Sequence, residues 1–250
     1  MTIHTFRRAA LRAELLCEPV LPRRSGAKAR GSNPSRVTAW VAPPPPKVCT
    51  MTIHTFGDSH AHVSWKECHN IATHHLGAIL CYSFGKENLN RCNIGKFDIK
   101  DNDSVVFCFG EIDCRCHIHK HITTVKSYKM IIDEIVHNYI HAIKINLENC
   151  KVKLKNICIF NVVPPVQKYN TGENSEYPYL GSDEERKNYV LYFNMCLKEK
   201  CEENNWIFFD VYNSYCDNNG YLSKKLSDGS VHIKDTTFLK KFINNNFLIS

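Results

Sequence analysis

The sequence predicts a parallel, doubly wound α/β sheet of about five strands in residues 51–250, with helices on both faces. Two observations carry that prediction. From Met51 onward short apolar runs alternate with longer amphipathic ones, the pattern of successive strand–helix units. Several of the apolar runs also end in polar, Gly-rich or Pro-rich corners: Gly57-Asp58-Ser59, Phe84-Gly85, Gly110-Glu111-Ile112-Asp113 and Val163-Pro164-Pro165. Open α/β sheets bind ligands beyond the carboxyl ends of their strands, so these four corners should share one edge.

Strands are expected at Thr52 to Phe56, Ala78 to Ser83, Ser104 to Phe109, Ile157 to Val163 and Trp206 to Tyr212. Helical spacing covers Ser64 to His75, about Thr123 to Glu148, and about Asp183 to Asn204, with a last helix over Thr236 to Asn246. The longest helix shows its apolar face in Met130, Ile131, Ile135, Tyr139, Ile143 and Leu147. Gln167 to Gly181 has no clear period and reads as a long loop near the functional edge.

The formal charge of +7 suggests a basic protein. Its distribution says otherwise. Residues 1–50 hold nine Lys/Arg against Glu14 and Glu18, a balance of 9 − 2 = +7, which leaves 23 basic and 23 acidic residues in 51–250. A neutral body argues against nucleic acid as a partner, which would need a positive face on the folded domain. The same fifty residues carry seven of the ten prolines and little periodic apolar content, so they are expected to be an Arg/Pro-rich disordered leader. The hexapeptide Met-Thr-Ile-His-Thr-Phe opens both this leader and the body, at 1–6 and 51–56. That repeat reads as a duplication, a fused segment or a frame artefact, and it makes Met51 the expected functional start. An Arg-rich, acid-poor leader also admits organelle targeting. No stretch reaches the ~20 apolar residues of a membrane span, and the thirteen cysteines lack the spacing of a disulfide framework. A soluble, cytoplasmic protein with reduced thiols is the expectation.

A hydrolytic site needs a nucleophile on a sharp turn, a base to take its proton, and donors for the oxyanion. Ser59, behind Gly57 at the end of the first strand, supplies the first. Just before the final helix, Ser227-Asp228-Gly229-Ser230-Val231-His232 offers His232 as base, with Asp228 to orient its ring. Asp58 reads as a structural turn acid, and His60 and His62 are given no catalytic role. With these residues in this order, the chain resembles the SGNH (GDSL-like) hydrolase family over about 51–245. Gly57-Asp58-Ser59-His60 is similar to the family's first block, with His60 where leucine is commonest. Gly85, or Gly77 as the alternative, would match the second-block glycine whose N–H joins the oxyanion hole. Gly110-Glu111-Ile112-Asp113 resembles the third block and Asp228 to His232 the last. The resemblance implies a flavodoxin-like three-layer α/β/α sandwich and metal-free ester hydrolysis, often of acyl groups on lipid or acetyl groups on carbohydrate.

Two departures stand out. Ile112 occupies the place of the third-block asparagine and cannot donate to an oxyanion, a loss that typically costs ~10²–10³ in rate. Arg115, near Asp113 on the same corner, is the candidate replacement; alternatively Glu111, Asp113 and Arg115 form a buried ion network that only shapes the corner. Asp228 and His232 are four residues apart rather than three, so either the loop absorbs the extra residue or another carboxylate serves. A rival reading lies in Cys114-Arg115-Cys116-His117-Ile118-His119-Lys120-His121, where Cys116 with His119 or His117 with His121 could meet on a helical turn. No Cys-x-x-Cys or His-Glu-x-x-His spacing accompanies it, so neither metal nor other cofactor is expected. The expected partner is a small-molecule or glycan ester, and the competing function is a non-catalytic binding protein of the same fold.

Overall fold

The structure, a computed structural model, describes residues 51–170 and 175–247. The leader and the first copy of the hexapeptide lie outside the described residues. Five parallel strands form one sheet: β1 (Ile53–Gly57), β2 (Ile71–His75), β3 (Ser104–Cys108), β4 (Asn156–Phe160) and β5 (Ile207–Phe209), in the spatial order β2-β1-β3-β4-β5. The order reverses beside β1, which places a switch point at the end of the strand that leads to Ser59. Every residue of β1 and β3 is buried, as parallel strands covered on both faces must be.

The principal helices are α1 (Cys81–Glu87), α2 (Tyr128–Asn149), α3 (Asp183–Asn204) and α4 (Thr237–Asn246). Phe56, Val105, Phe107 and Ile159 bury one face of the sheet with residues from α1, α2 and α3. Val106, Cys158, Phe160 and Phe209 bury the other with Trp65 and with Leu239 and Ile243 of α4. Three layers result, as the resemblance implied. α3 begins with a reciprocal cap in which Ser182 accepts from the Glu185 N–H and Glu185 accepts from the Ser182 N–H.

The second strand and the helix before it are exchanged relative to the sequence expectation. Ser64 to His75 is not a helix: Ile71–His75 pairs with β1 from Ile53↔Ile71 to Gly57↔His75. It is an edge strand and mostly half-buried, so its apolar alternation is faint. Ala78 to Ser83 is not a strand: Cys81–Glu87 is helical and buries Cys81, Phe84 and Gly85, an i, i+3, i+4 set. Short apolar runs do not separate helix from strand by periodicity alone. Packing against α2 decided this one. Gln167 to Gly181 is irregular apart from a 3₁₀ turn at Lys168–Asn170, and residues 171–174 within it lie outside the described residues. Among the described residues no helix is long and apolar enough to cross a membrane.

Candidate active site

The site begins where β1 passes the end of β3. A Cβ on Gly57 would lie 1.9 Å from the Cys108 carbonyl oxygen, so only glycine fits there. Asp58 then caps a single 3₁₀ turn, Ser59–Ala61, its Oδ1 accepting from the His60 N–H at 2.8 Å. The Thr55 hydroxyl donates to the Ala61 carbonyl at 2.6 Å and the Trp65 indole N–H to the His60 carbonyl at 3.0 Å. These contacts fix the turn that presents Ser59.

His232 approaches from the far end of the chain. Its Nε2 lies 2.8 Å from Ser59 Oγ and its Nδ1 lies 2.9 Å from Asp228 Oδ2. The loop absorbs the extra residue between acid and base: the Asp228 N–H donates to the His232 carbonyl at 3.0 Å, and Asp228 Oδ1 accepts from the Ser230 N–H at 2.8 Å. Gly229 turns the chain with a φ of 88°, a conformation other residues rarely adopt. Burial and the neighbouring His60 hold the His232 imidazole below its usual range, against the pull of Asp228. Burial works to raise Asp228, but hydrogen bonds from His232 and the Ser230 N–H keep it below the ordinary carboxylate value. A neutral imidazole between a hydroxyl and a carboxylate can take a proton from that hydroxyl.

A second aspartate–histidine pair sits beside the first. His60 Nδ1 lies 3.0 Å from Asp58 Oδ1 and its Nε2 lies 3.2 Å from the Val231 carbonyl oxygen. Its ring centroid is 4.8 Å from that of His232. Burial works against a charge on His60, yet the carboxylate of Asp58, by charge and hydrogen bond, pushes its pKa up to about 9.

No protein-family model matches the sequence, and no curated protein matches it significantly. Solved structures do match. A candidate acylhydrolase from Bacteroides fragilis aligns with a TM-score of 0.55 at 13% identity, covering 81% of this chain and 88% of its own. A GDSL-like lipase from Bacteroides thetaiotaomicron gives 0.54 at 12% identity, over 78% and 86%. A member of the lipolytic G-D-S-L family from Veillonella parvula gives 0.52 at 13%, over 80% and 100%. The fold is that of the GDSL (SGNH) hydrolases.

Within that GDSL fold, two expected oxyanion donors are displaced. Gly85 is not at a strand-end corner: it is the fifth residue of α1, where a helical N–H faces the carbonyl four residues back. A Cβ there would come within 3.0–3.1 Å of Asn138 and Tyr139 on α2, so its glycine serves close helix packing. Gly77, the alternative, does lie in a loop, one residue after Leu76, whose N–H donates to the Gly57 carbonyl at 2.9 Å. Arg115 is buried and held by Glu111, with NH2 donating to Oε2 at 3.0 Å, and by the Tyr177 carbonyl at 3.3 Å from NH1. Its Nε is 3.0 Å from Glu111 Oε1 without the alignment of a hydrogen bond, and its guanidinium stacks on Tyr179. Asp113 is not a pocket residue but a cap for α1, accepting from the N–H groups of Cys81 at 2.6 Å and Tyr82 at 3.1 Å. Burial raises it to about 7, outweighing those two donors. Ile112 is buried at the start of a π-helical turn, Asp113–His117.

Of the rival ligand pairs, His117 and His121 meet as expected, while Cys116 and His119 turn to other partners. The His117 and His121 rings lie 4.4 Å apart at a tilt of 53° beside Tyr82, His119 Nδ1 lies 3.1 Å from the Tyr189 hydroxyl, and the Cys116 thiol donates to the Ile112 carbonyl. Among the described residues no three His, Cys, Asp or Glu side chains converge as a metal site would require.

Proposed function

We propose that this protein is a serine esterase acting on acyl or acetyl esters of a small molecule, carbohydrate or lipid. The 2.8 Å approach of His232 Nε2 to Ser59 Oγ, across 173 residues of sequence, carries this reading. Ser59 Oγ attacks the ester carbonyl carbon while its proton passes to His232 Nε2. Asp228 stabilises the resulting imidazolium through Nδ1–H. Collapse of the tetrahedral intermediate returns that proton to the departing alcohol and leaves an acyl-serine, which water hydrolyses by the same exchange in reverse. The oxyanion is met by the backbone N–H groups of Ser59 and Gly77. With Ile112 at the third corner and Arg115 engaged by Glu111, the side-chain donor is missing, so turnover should be slow for such a site.

A fluorophosphonate probe tests the reading. Labelling should map to Ser59 and vanish in Ser59→Ala, together with hydrolysis of p-nitrophenyl acetate. An unchanged mass in folded wild-type protein sinks it. The missing donor at Ile112 is the one observation that favours a second reading, a binding protein that retains the fold; saturable ligand binding with an unreactive Ser59 would establish it.

A further inference from the structure

We infer that His60, as an imidazolium paired with the carboxylate of Asp58, is a positioning residue for His232: it tethers the last loop to the nucleophile turn and sets a positive charge beside the base. The inference rests on the esterase reading only for its kinetic consequence. Hydrogen-bond parity supports the charge. His60 Nε2 faces the Val231 carbonyl at 3.2 Å, and a carbonyl can only accept, so Nε2 carries a proton. Nδ1 faces Asp58 Oδ1 at 3.0 Å, and that same oxygen already accepts from the His60 backbone N–H at 2.8 Å. An ionised Oδ1 is the better acceptor for both the backbone N–H and an Nδ1–H, which places the second proton on Nδ1. The other oxygen, Asp58 Oδ2, is buried with no hydrogen-bond partner among the described residues, and an ionised carboxylate there is tolerated only against a full counter-charge.

The tether joins distant parts of the chain. Val231 precedes His232, so the bond from His60 spans 171 residues and clamps the backbone next to the base. The charge acts in parallel. Four groups face His232: Ser59 at Nε2, Asp228 at Nδ1, His60 across 4.8 Å between ring centres, and Glu111 from the third corner. Asp228 and Glu111 favour protonation and His60 opposes it, as does burial. The charge of His60 therefore keeps the base free to accept a proton.

Two variants remove the charge and leave the tether in place. In His60→Gln the side-chain amide can still donate to the Val231 carbonyl but has no charge; in Asp58→Asn/His60→Gln the whole ion pair is neutral, so no lone buried carboxylate threatens folding. NMR titration of the His232 ring protons should give a midpoint about half a pH unit above wild type in His60→Gln, as a charge near 5 Å in a water-like dielectric implies, and a smaller rise in the double variant, which loses the opposing charge of Asp58 as well. The acid limb of Ser59 labelling by fluorophosphonate should move up with it, slowing labelling about threefold on that limb. A His232 midpoint unchanged in both folded variants overturns the inference, whatever Ser59 does. An unreactive Ser59 in folded wild type instead overturns the esterase reading, and the NMR midpoint still decides the role of His60.

Discussion

Two aspartate–histidine pairs stand side by side at the carboxyl edge of this sheet, and their two imidazoles are shifted in opposite directions. Asp58 and His60 are buried and hydrogen-bonded to each other and to a backbone carbonyl, and His60 is pushed up to about 9. Asp228 and His232 lie on a loop with their side chains part-exposed, and His232 is held below its usual range. They differ in the carboxylate at Nδ1, fully buried in Asp58 and part-exposed in Asp228, and in the partner at Nε2, a carbonyl or a serine hydroxyl. Burial alone would make both imidazoles neutral. The buried carboxylate of Asp58 carries the charge on His60, with the Val231 carbonyl adding to it, and the charged ring then biases the neutral one.

The largest effect comes from breaking the second pair. His232→Ala should lower esterase activity by about 10⁴-fold or more, as should Ser59→Ala, because nucleophile and base act as a unit. Asp228→Asn should cost less, about 10²-fold in kcat, since its carboxylate is part-exposed and the loop hydrogen bonds that place His232 remain. A loss from Asp228→Asn as large as from His232→Ala would mean that the carboxylate governs the tautomer outright. In wild type the rate should rise with pH through a midpoint below 6.5 and level off by neutrality, since His232 must be neutral to act.

The first pair should be read in stability. His60 binds its proton more tightly folded than unfolded, so its contribution is complete below about pH 6.5 and is lost as pH rises toward about 9. Melting temperature should fall by several degrees across that window in wild type. In Asp58→Asn/His60→Gln this part of the slope should disappear, and a slope unchanged from wild type would show that His60 is neutral.

The turn at Ser59 and the loop that brings Asp228 and His232 to it were legible in the sequence because each is a local pattern: Gly57 before Asp58-Ser59, and Asp228 with His232 ahead of the last helix. The third corner was legible in composition but not in role. Arg115 reads in one dimension either as an oxyanion donor or as part of an ion network with Glu111, and the fold shows the pair with Glu111 and adds Tyr179. Gly85 was misplaced because the half-buried edge strand Ile71–His75 carries two histidines and little apolar signal, which moved the second corner downstream by one element. The signal for His60 was present in its departure from leucine. Its tether to Val231 lies 171 residues away, and no local pattern encodes that contact.

The smallest effect tests how the acid–base loop carries its extra residue. Gly229 has a φ of 88° and no atom within 4 Å of where a Cβ would stand, so Gly229→Ala meets strain in the backbone and no clash. Such a change costs about 1 kcal/mol when the backbone stays in place. If the loop instead relaxes, the hydrogen bond from the Asp228 N–H to the His232 carbonyl and the carboxylate contact at Nδ1 loosen together, and activity falls more than stability. A drop in melting temperature with kcat within about twofold of wild type would show that the tether from His60 to Val231, rather than the turn at Gly229, holds the base in register. A several-fold fall in kcat with little change in melting temperature would assign that task to the turn, and would make the Asp58–His60 pair chiefly a setter of charge.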